Sequence, residues 1–345
     1  MSTLAALTNH QIRLAARPNG LPTREGWSFT NEPVAEPADG GVLVKTLSLS
    51  LDPAMRGWMN EGKSYIAPVG IGEVMRAGGI AQVVASKNPA FAVGDVVSCT
   101  PGVQEYCLIP GGEIKRNGLF KIDTRLGTPN QWLNVLGMPG MTGYFGLMDV
   151  GMPQAGETVV VSGAAGAVGQ TVGQLAKAKG CRVVGIAGGA AKCEWVVKEL
   201  GFDACVDYKA HKDAKSLYEA LKEATPDGVD GAFENVGGPV FDAVLARMNA
   251  FGRIAVCGMI SGYDGEPIPL KQPQLILQSR LTVEGFIVSE HMELWPEALK
   301  ELGTLVATGK LKYRETVAQG LEAAPEAFLG LLKGRNFGKQ IVKLV

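Results

Sequence analysis

One stretch of this chain carries residue types and spacing that could do chemistry: Val159-Val-Val-Ser162-Gly163-Ala-Ala-Gly166-Ala167-Val168-Gly169. A β-branched run stops at small residues, and an amphipathic segment follows until Gly180. The pattern predicts a buried parallel strand, a tight turn and a helix. Gly163 would permit the turn, Gly166 would let a phosphate approach the main chain, and Gly169 would let the helix lie against the strand. The N–H groups and positive dipole end of that helix then suit a pyrophosphate. With 46 glycines in the chain, a glycine turn that binds nothing is the alternative, and the flanking strand and helix argue against it.

The next apolar run, Cys181-Arg-Val-Val-Gly-Ile-Ala187, leads into Gly188-Gly189-Ala190-Ala191-Lys192. A site for NAD would place an acid here to bind the ribose 2′-hydroxyl. The chain has Gly188 instead, with a lysine shortly after it. A 2′-phosphate meets no repelling carboxylate, and Lys192 can pair with it. NADP is therefore favoured, against the alternative of a solvated lysine in the first turn of a helix.

The elements that must position these residues follow from patterning. The chain has 345 residues, 46% hydrophobic and 19% charged, with net charge −1. Two globular domains are expected. Lys and Arg are scattered, so neither a nucleic-acid nor a membrane partner is expected. No apolar run approaches the length of a membrane span, and the N-terminus lacks signal-peptide character, which predicts a cytoplasmic protein. The six cysteines form no C-x-x-C pair, and the three histidines are dispersed, so no metal site is expected. Residues 1 to 135 read as β-rich, with short strands between Gly, Pro, Asn and Asp turns. From 136 to 311, strands near Val159, Val183, Ala204–Asp207, Gly231–Asn235, Arg253–Cys257 and Leu281–Phe286 alternate with helices such as 192–200 and 240–248. That alternation predicts a doubly wound parallel sheet, whose ligands lie beyond the carboxyl ends of strands. The last apolar run, within 312–345, reads as a strand returning to the first domain.

Taken together, Leu51-Asp-Pro-x-Met55-Arg56-Gly57, Leu136-Gly-Met-Pro-Gly-Met-Thr142-Gly-Tyr144, the glycine loop, Glu234-Asn235-Val-Gly-Gly238 and Gly330-Leu-Leu-Lys-Gly-x-Asn336-Phe-Gly-Lys339 follow one order along the chain. This order resembles the zinc-independent medium-chain dehydrogenase/reductases of the leukotriene B4 dehydrogenase, or prostaglandin and alkenal reductase, branch, with the bacterial curcumin reductases nearest. The resemblance implies a GroES-like, partly closed β-barrel domain (1–135 and 312–345) and a Rossmann domain (136–311). It also implies NADPH-dependent reduction of a C=C bond conjugated to a carbonyl.

By the same resemblance, Gly166, Ala167 and Val168 would hold the pyrophosphate, and Lys192 and Tyr208 the adenosine phosphate end. Asn235 and Val236 would touch the nicotinamide half, with Phe286 and Val288 beside its carboxamide. Thr142 and Asn336 would line and close the channel, and Gly163, Gly169, Gly188 and Cys257 complete the cofactor set. Tyr263 matches a tyrosine on the substrate carbonyl side. Ala54 stands where the family has a pocket tyrosine, and Val103 where it has a tryptophan, so the substrate pocket is expected to differ, with Tyr65 as a substitute wall. Met138 and Met259 are expected to line an apolar cleft, against the commoner role of core filling.

Hydride delivered to the β-carbon of an enone leaves charge on the carbonyl oxygen, which calls for a hydrogen-bond donor there. The cofactor ribose hydroxyl and Tyr263 are the expected donors. For Tyr263 the alternative is an exposed loop tyrosine among turn residues. Two other readings share the cofactor site: a quinone oxidoreductase, and a non-catalytic, crystallin-like reader of NADPH. The family's habit of pairing nucleotide domains edge to edge points to a homodimer through 281–288. For Arg56 and Glu73 a solvated surface role is favoured over a pair between them inside the first domain.

Overall fold

The computed structural model describes residues 7–345; the first six residues, which entered the reading of the N-terminus, lie outside them. The described residues form two compact units, one of residues 7–133, 315–336 and 340–345, the other of 134–314 and 337–339.

The first unit is built on antiparallel pairing. Val42–Leu51 is a ten-residue strand of almost wholly buried residues, and it takes Gly79–Ser86, Tyr106–Ile109 and Lys339–Lys343 as antiparallel partners. The C-terminal run thus pairs Gln340 with Leu51 and Lys343 with Ser48. A separate hairpin joins Thr8–Leu14 to Trp27–Pro33. The core gathers Ile12, Leu14, Trp27, Leu49, Leu51, Met55, Met59, Met75, Phe328 and Val342. Trp27 and Phe328 meet edge to face at 6.3 Å, a geometry their ring quadrupoles favour. Arg56 is a correction to the sequence reading. It is only 3% exposed, and its guanidinium donates to the carbonyls of Gly20 at 2.7 Å and Pro18 at 3.2 Å, and also to Asn60. Those acceptors replace water around the charge, which is what allows it inside. Glu73 is exposed, as read, and its carboxylate accepts from the Gly70 N–H.

The second unit holds a six-stranded, all-parallel sheet in the order Ala204–Asp207, Arg182–Ala187, Thr158–Ser162, Val229–Glu234, Met248–Val256, Thr282–Gly285. Helices Gly169–Ala178, Ala190–Lys198, Ala214–Ala224 and Gly238–Leu245 form the crossovers. Strand order reverses between Thr158–Ser162 and Val229–Glu234, so the crevice at their carboxyl ends is the topological switch point. Residues 240–248 do not form one helix. It ends at Leu245, and Met248 already pairs with Val229 in the sheet. Sheet hydrogen bonds there override the apolar helical pattern.

Candidate functional site

The glycine loop is positioned by a strand with no exposed residue, Thr158–Ser162. Its backbone turns at Gly163, where φ is +61°, and the Gly166 N–H donates to the Gly163 carbonyl at 2.8 Å. A Cβ on Gly169 would stand 2.4 Å from the Gly163 carbonyl oxygen and 2.8 Å from the Ala164 Cα, so only glycine fits there. The helix Gly169–Ala178 starts from Val168 without a side-chain cap, which leaves its positive end to a ligand. Gly338 runs alongside Gly166, and its N–H donates to the Ala165 carbonyl at 3.0 Å. Asn336 lies two residues before this segment, in the first unit.

At the end of the neighbouring strand Arg182–Ala187, Gly189 adopts φ +106° and starts the helix Ala190–Lys198. The Asp207 carboxylate, at the tip of the edge strand, accepts from the Gly189 N–H at 2.7 Å and the Lys209 N–H at 3.0 Å. A Cβ on Gly188 would stand 2.8 Å from the Tyr208 ring and 3.0 Å from the Lys209 Cε. The absence of a side chain at Gly188 therefore lets Tyr208 and Lys209 close over the strand end. Lys192 is half-buried, and its pKa is lowered first by burial and then by the nearby Lys209 ammonium. Burial, then Asp207, pushes Tyr208 up. Two mutually repelling ammonium groups beside a ring make a site that gains from a dianion. Lys209 is missing from the sequence reading. Its only signal was a lysine directly after a strand end, in a run that reads as solvated surface.

At the opposite end of the glycine loop stands Glu234, 1% exposed. One of its oxygens accepts from the Val236 N–H at 2.6 Å and the Gly237 N–H at 2.7 Å. The other has no partner among the described residues. Burial raises its pKa, opposed by those two N–H groups and by the Ser162 hydroxyl. Ser162 in turn accepts from the Asn235 N–H at 2.8 Å, and the Asn235 amide donates to the Ser162 carbonyl at 2.7 Å. These bonds set Asn235 and Val236 against the glycine turn: their side chains lie 3.4 and 3.8 Å from a Cβ built on Gly163. Glu234 was quoted in the motif, but its holding role becomes visible only once strand and loop are folded together.

Tyr263 follows the turn Ile260–Gly262, and its N–H donates to the Ile260 carbonyl at 3.1 Å. Its hydroxyl and the Asn235 carbonyl oxygen both lie 3.5 Å from a Cβ built on Gly258, an ordinary contact distance, which brings the tyrosine back to that glycine. Tyr263 is thus folded back over the strand end rather than extended. Burial, then the Glu234 charge, pushes the Cys257 thiol up to about 12. The half-buried Phe286 packs its ring 5.4 Å from Phe145 and 6.0 Å from Phe233. Val288 is buried. The Thr142 hydroxyl donates to the Met138 carbonyl at 2.7 Å.

The expected substrate residues are spread more widely. In the second unit, Met138 is 47% exposed at the start of a helix, while Met259 packs partly against the core. In the first unit, Ala54 precedes the short helix Met55–Trp58. Tyr65 is 55% exposed, and its hydroxyl accepts from the Trp58 indole at 3.0 Å, beneath which Arg76 stacks. Val103 is a correction: it is buried among core residues including Ile12, Met55 and Met75, so it fills the interior rather than walling an open pocket. Among the described residues, no three His, Cys, Asp or Glu side chains gather in an arrangement that could hold a metal.

Comparison with known proteins bears on both units. A family model described as the N-terminal domain of oxidoreductase matches residues 10–116, and one described as zinc-binding dehydrogenase matches 167–304. The NADPH-dependent curcumin reductase of Escherichia coli is 44% identical over 343 residues, covering 97% of each chain. The NADP(+)-dependent 2-alkenal reductase of Nicotiana tabacum is 42% identical over 342 residues, again covering 97% of each. The crystal structure of CurA from Vibrio vulnificus in complex with NADPH superposes with a TM-score of 0.89 at 43% identity, covering 97% of this chain and 99% of that one. The sheets described above are accordingly a GroES-like fold in the first unit and a Rossmann fold in the second. This chain belongs to the medium-chain dehydrogenase/reductase family, in the branch of the curcumin, alkenal and prostaglandin reductases.

Proposed function

We infer that the chain is an NADPH-dependent oxidoreductase that reduces the C=C bond of α,β-unsaturated ketones and aldehydes. The observation that carries this reading is the pairing of a glycine turn, closed to a Cβ at Gly169, with two ammonium groups at the neighbouring strand end. The residues present fit NADPH, which when bound supplies the hydride. The open helix end behind Val168 receives the pyrophosphate, and Lys192 with Lys209 receives the 2′-phosphate beside the Tyr208 ring. Glu234 and Ser162 hold Asn235 and Val236 toward the nicotinamide half. The hydroxyl of Tyr263, close to Gly258 at the strand end, stands as donor for the charge that develops on the substrate oxygen.

We also place a homodimer on the edge strand Thr282–Gly285. All four of its residues are exposed, and Met248–Val256 is its one partner in the sheet. An open strand edge of this kind invites pairing with a second copy. No described helix is long and apolar enough to cross a membrane, and all six cysteines are free thiols, which suits a reducing cytoplasm. The test is NADPH oxidation followed by absorbance with an unsaturated ketone and, separately, a quinone. Turnover of the ketone supports the reading. Turnover of the quinone alone, or binding without oxidation of either, overturns it.

A further inference from the structure

Two thiols unrelated to the residues above meet at the outer edge of the parallel sheet. Cys193 lies in the helix Ala190–Lys198, directly after Lys192, and Cys205 lies in the edge strand Ala204–Asp207. The Cys205 Sγ stands on the sheet face this helix covers, since a Cβ built on Gly185 would lie 3.2 Å from it and 3.0 Å from the Val196 side chain of the helix. The Cys193 Sγ lies 4.0 Å from the carbonyl oxygen of Ala187 on the neighbouring strand, which puts the two thiols in one interface. Gly185, with no side chain, makes room for this meeting. Both residues are partly exposed free cysteines, whereas Cys99 and Cys107 are buried in the core of the first unit. Their strand stands at the opposite end of the sheet from Thr282–Gly285, so pairing of two copies there leaves the thiols open.

We propose that Cys193 and Cys205 form a reversible disulfide when oxidised by hydrogen peroxide, and that this bridge weakens NADPH binding. The Cys193 thiol loses its proton, the thiolate attacks the peroxide O–O bond and becomes a sulfenic acid, and the leaving hydroxide takes up that proton as one water. The Cys205 sulfur then displaces the sulfenic oxygen, forming the S–S bond and releasing a second water. The two sulfurs together lose two electrons and two protons, and the peroxide gains them. The S–H that Cys205 donates holds the Cys193 thiol below its ordinary value, and sharing that proton pushes Cys205 up. Cys193 is therefore the sulfur that reacts first.

The consequence for the cofactor follows from what each sulfur is attached to. A disulfide draws its sulfurs to about 2.05 Å, well inside the separation of two hydrogen-bonded thiols. Closing that gap pulls the first turn of the helix, with Lys192, against the strand that ends in Asp207 and Tyr208. The ammonium groups and ring placed for the 2′-phosphate would shift relative to each other. This step rests on the adenosine-end site proposed above; formation of the bridge does not.

The test uses the full chain, reduced and then exposed to hydrogen peroxide, with intact mass, peptide mapping and NADPH titration. The expected result is a mass lower by two hydrogens, mapped to the peptides of Cys193 and Cys205. It should come with a rise in NADPH Kd of about tenfold, the order of one lost phosphate contact. Dithiothreitol should reverse both changes. Cys193→Ser and, independently, Cys205→Ala should show neither, and bound NADPH should slow the bridging. Peroxide that leaves both thiols free, or takes Cys193 to the sulfinic acid without a bridge, overturns the proposal. A bridge with unchanged NADPH affinity overturns its link to the cofactor. Failure of the reduced parent to bind NADPH would instead sink the reading of the site, with the mass still judging the bridge.

Discussion

Replacing Lys192 by alanine separates the 2′-phosphate role from general cofactor binding. The half-buried ammonium of Lys192 is already disfavoured by burial and by Lys209, so a doubly charged phosphate relieves two penalties at once. A charged contact of this partly dried kind is worth about 2 kcal/mol, or about 30-fold in Kd. Lys209 is exposed, so its screened contact should contribute about 1 kcal/mol and roughly fivefold. The double variant should lose less than the product of the two, because removing either lysine eases the repulsion on the other. NADH lacks the 2′-phosphate, and its affinity should hardly change in either variant. Fluorescence titration of parent, single and double variants with both reduced cofactors measures this. Linkage adds a pH signature. Phosphate binding raises the depressed Lys192 pKa, so NADPH affinity is full below the free-state value and falls as pH rises through it toward the bound value. That decline should vanish in Lys192→Ala. Equal losses for NADPH and NADH, or no loss for either, would refute the reasoning.

Three further outcomes follow from the geometry. Tyr263→Phe should lower kcat with little change in NADPH Kd if its hydroxyl, near Gly258 at the strand end, is the proposed donor; steady-state kinetics that leave kcat intact would remove that role. Gly169→Ala should lower thermal stability by about 1–3 kcal/mol, because the atoms a Cβ would meet are backbone and cannot yield; an unchanged Tm contradicts this. Glu234 has its folded-state pKa raised above the ordinary 4.5, so its protonated form is the better fit. Stability from it is present below 4.5 and is lost as pH rises through the folded value. Glu234→Gln stays neutral at every pH and cannot lose that contribution, so in denaturant melts the parent should lose stability relative to the variant as pH rises across that window; a difference constant with pH would rule it out.

What was legible in the sequence followed from regular patterning and from backbone demands. The strand before Gly163, the turn and the helix behind Gly169 were readable because glycine spacing and β-branched runs state backbone geometry directly. The missing acid at Gly188 and the base at Lys192 were readable for the same local reason. Lys209 was not, since only the bend at Tyr208–Ala210 tells a lysine turned toward Gly188 from a solvated one. Arg56 misled because an arginine in sequence carries no sign of the carbonyls that will surround it. Val103 misled in the opposite way: its neighbours Ile12 and Met75 come from distant strands and loops. Cys193 and Cys205, likewise, meet only through the packing of a helix on an edge strand.

The central claim is that this chain moves hydride from NADPH to the β-carbon of a conjugated carbonyl compound. The most direct measurement is turnover of an unsaturated ketone with NADPH deuterated at the transferring position, with the product analysed by mass spectrometry and NMR. The account predicts a saturated ketone with deuterium on the β-carbon. An allylic alcohol with deuterium on the carbonyl carbon, or no deuterated product, would contradict it.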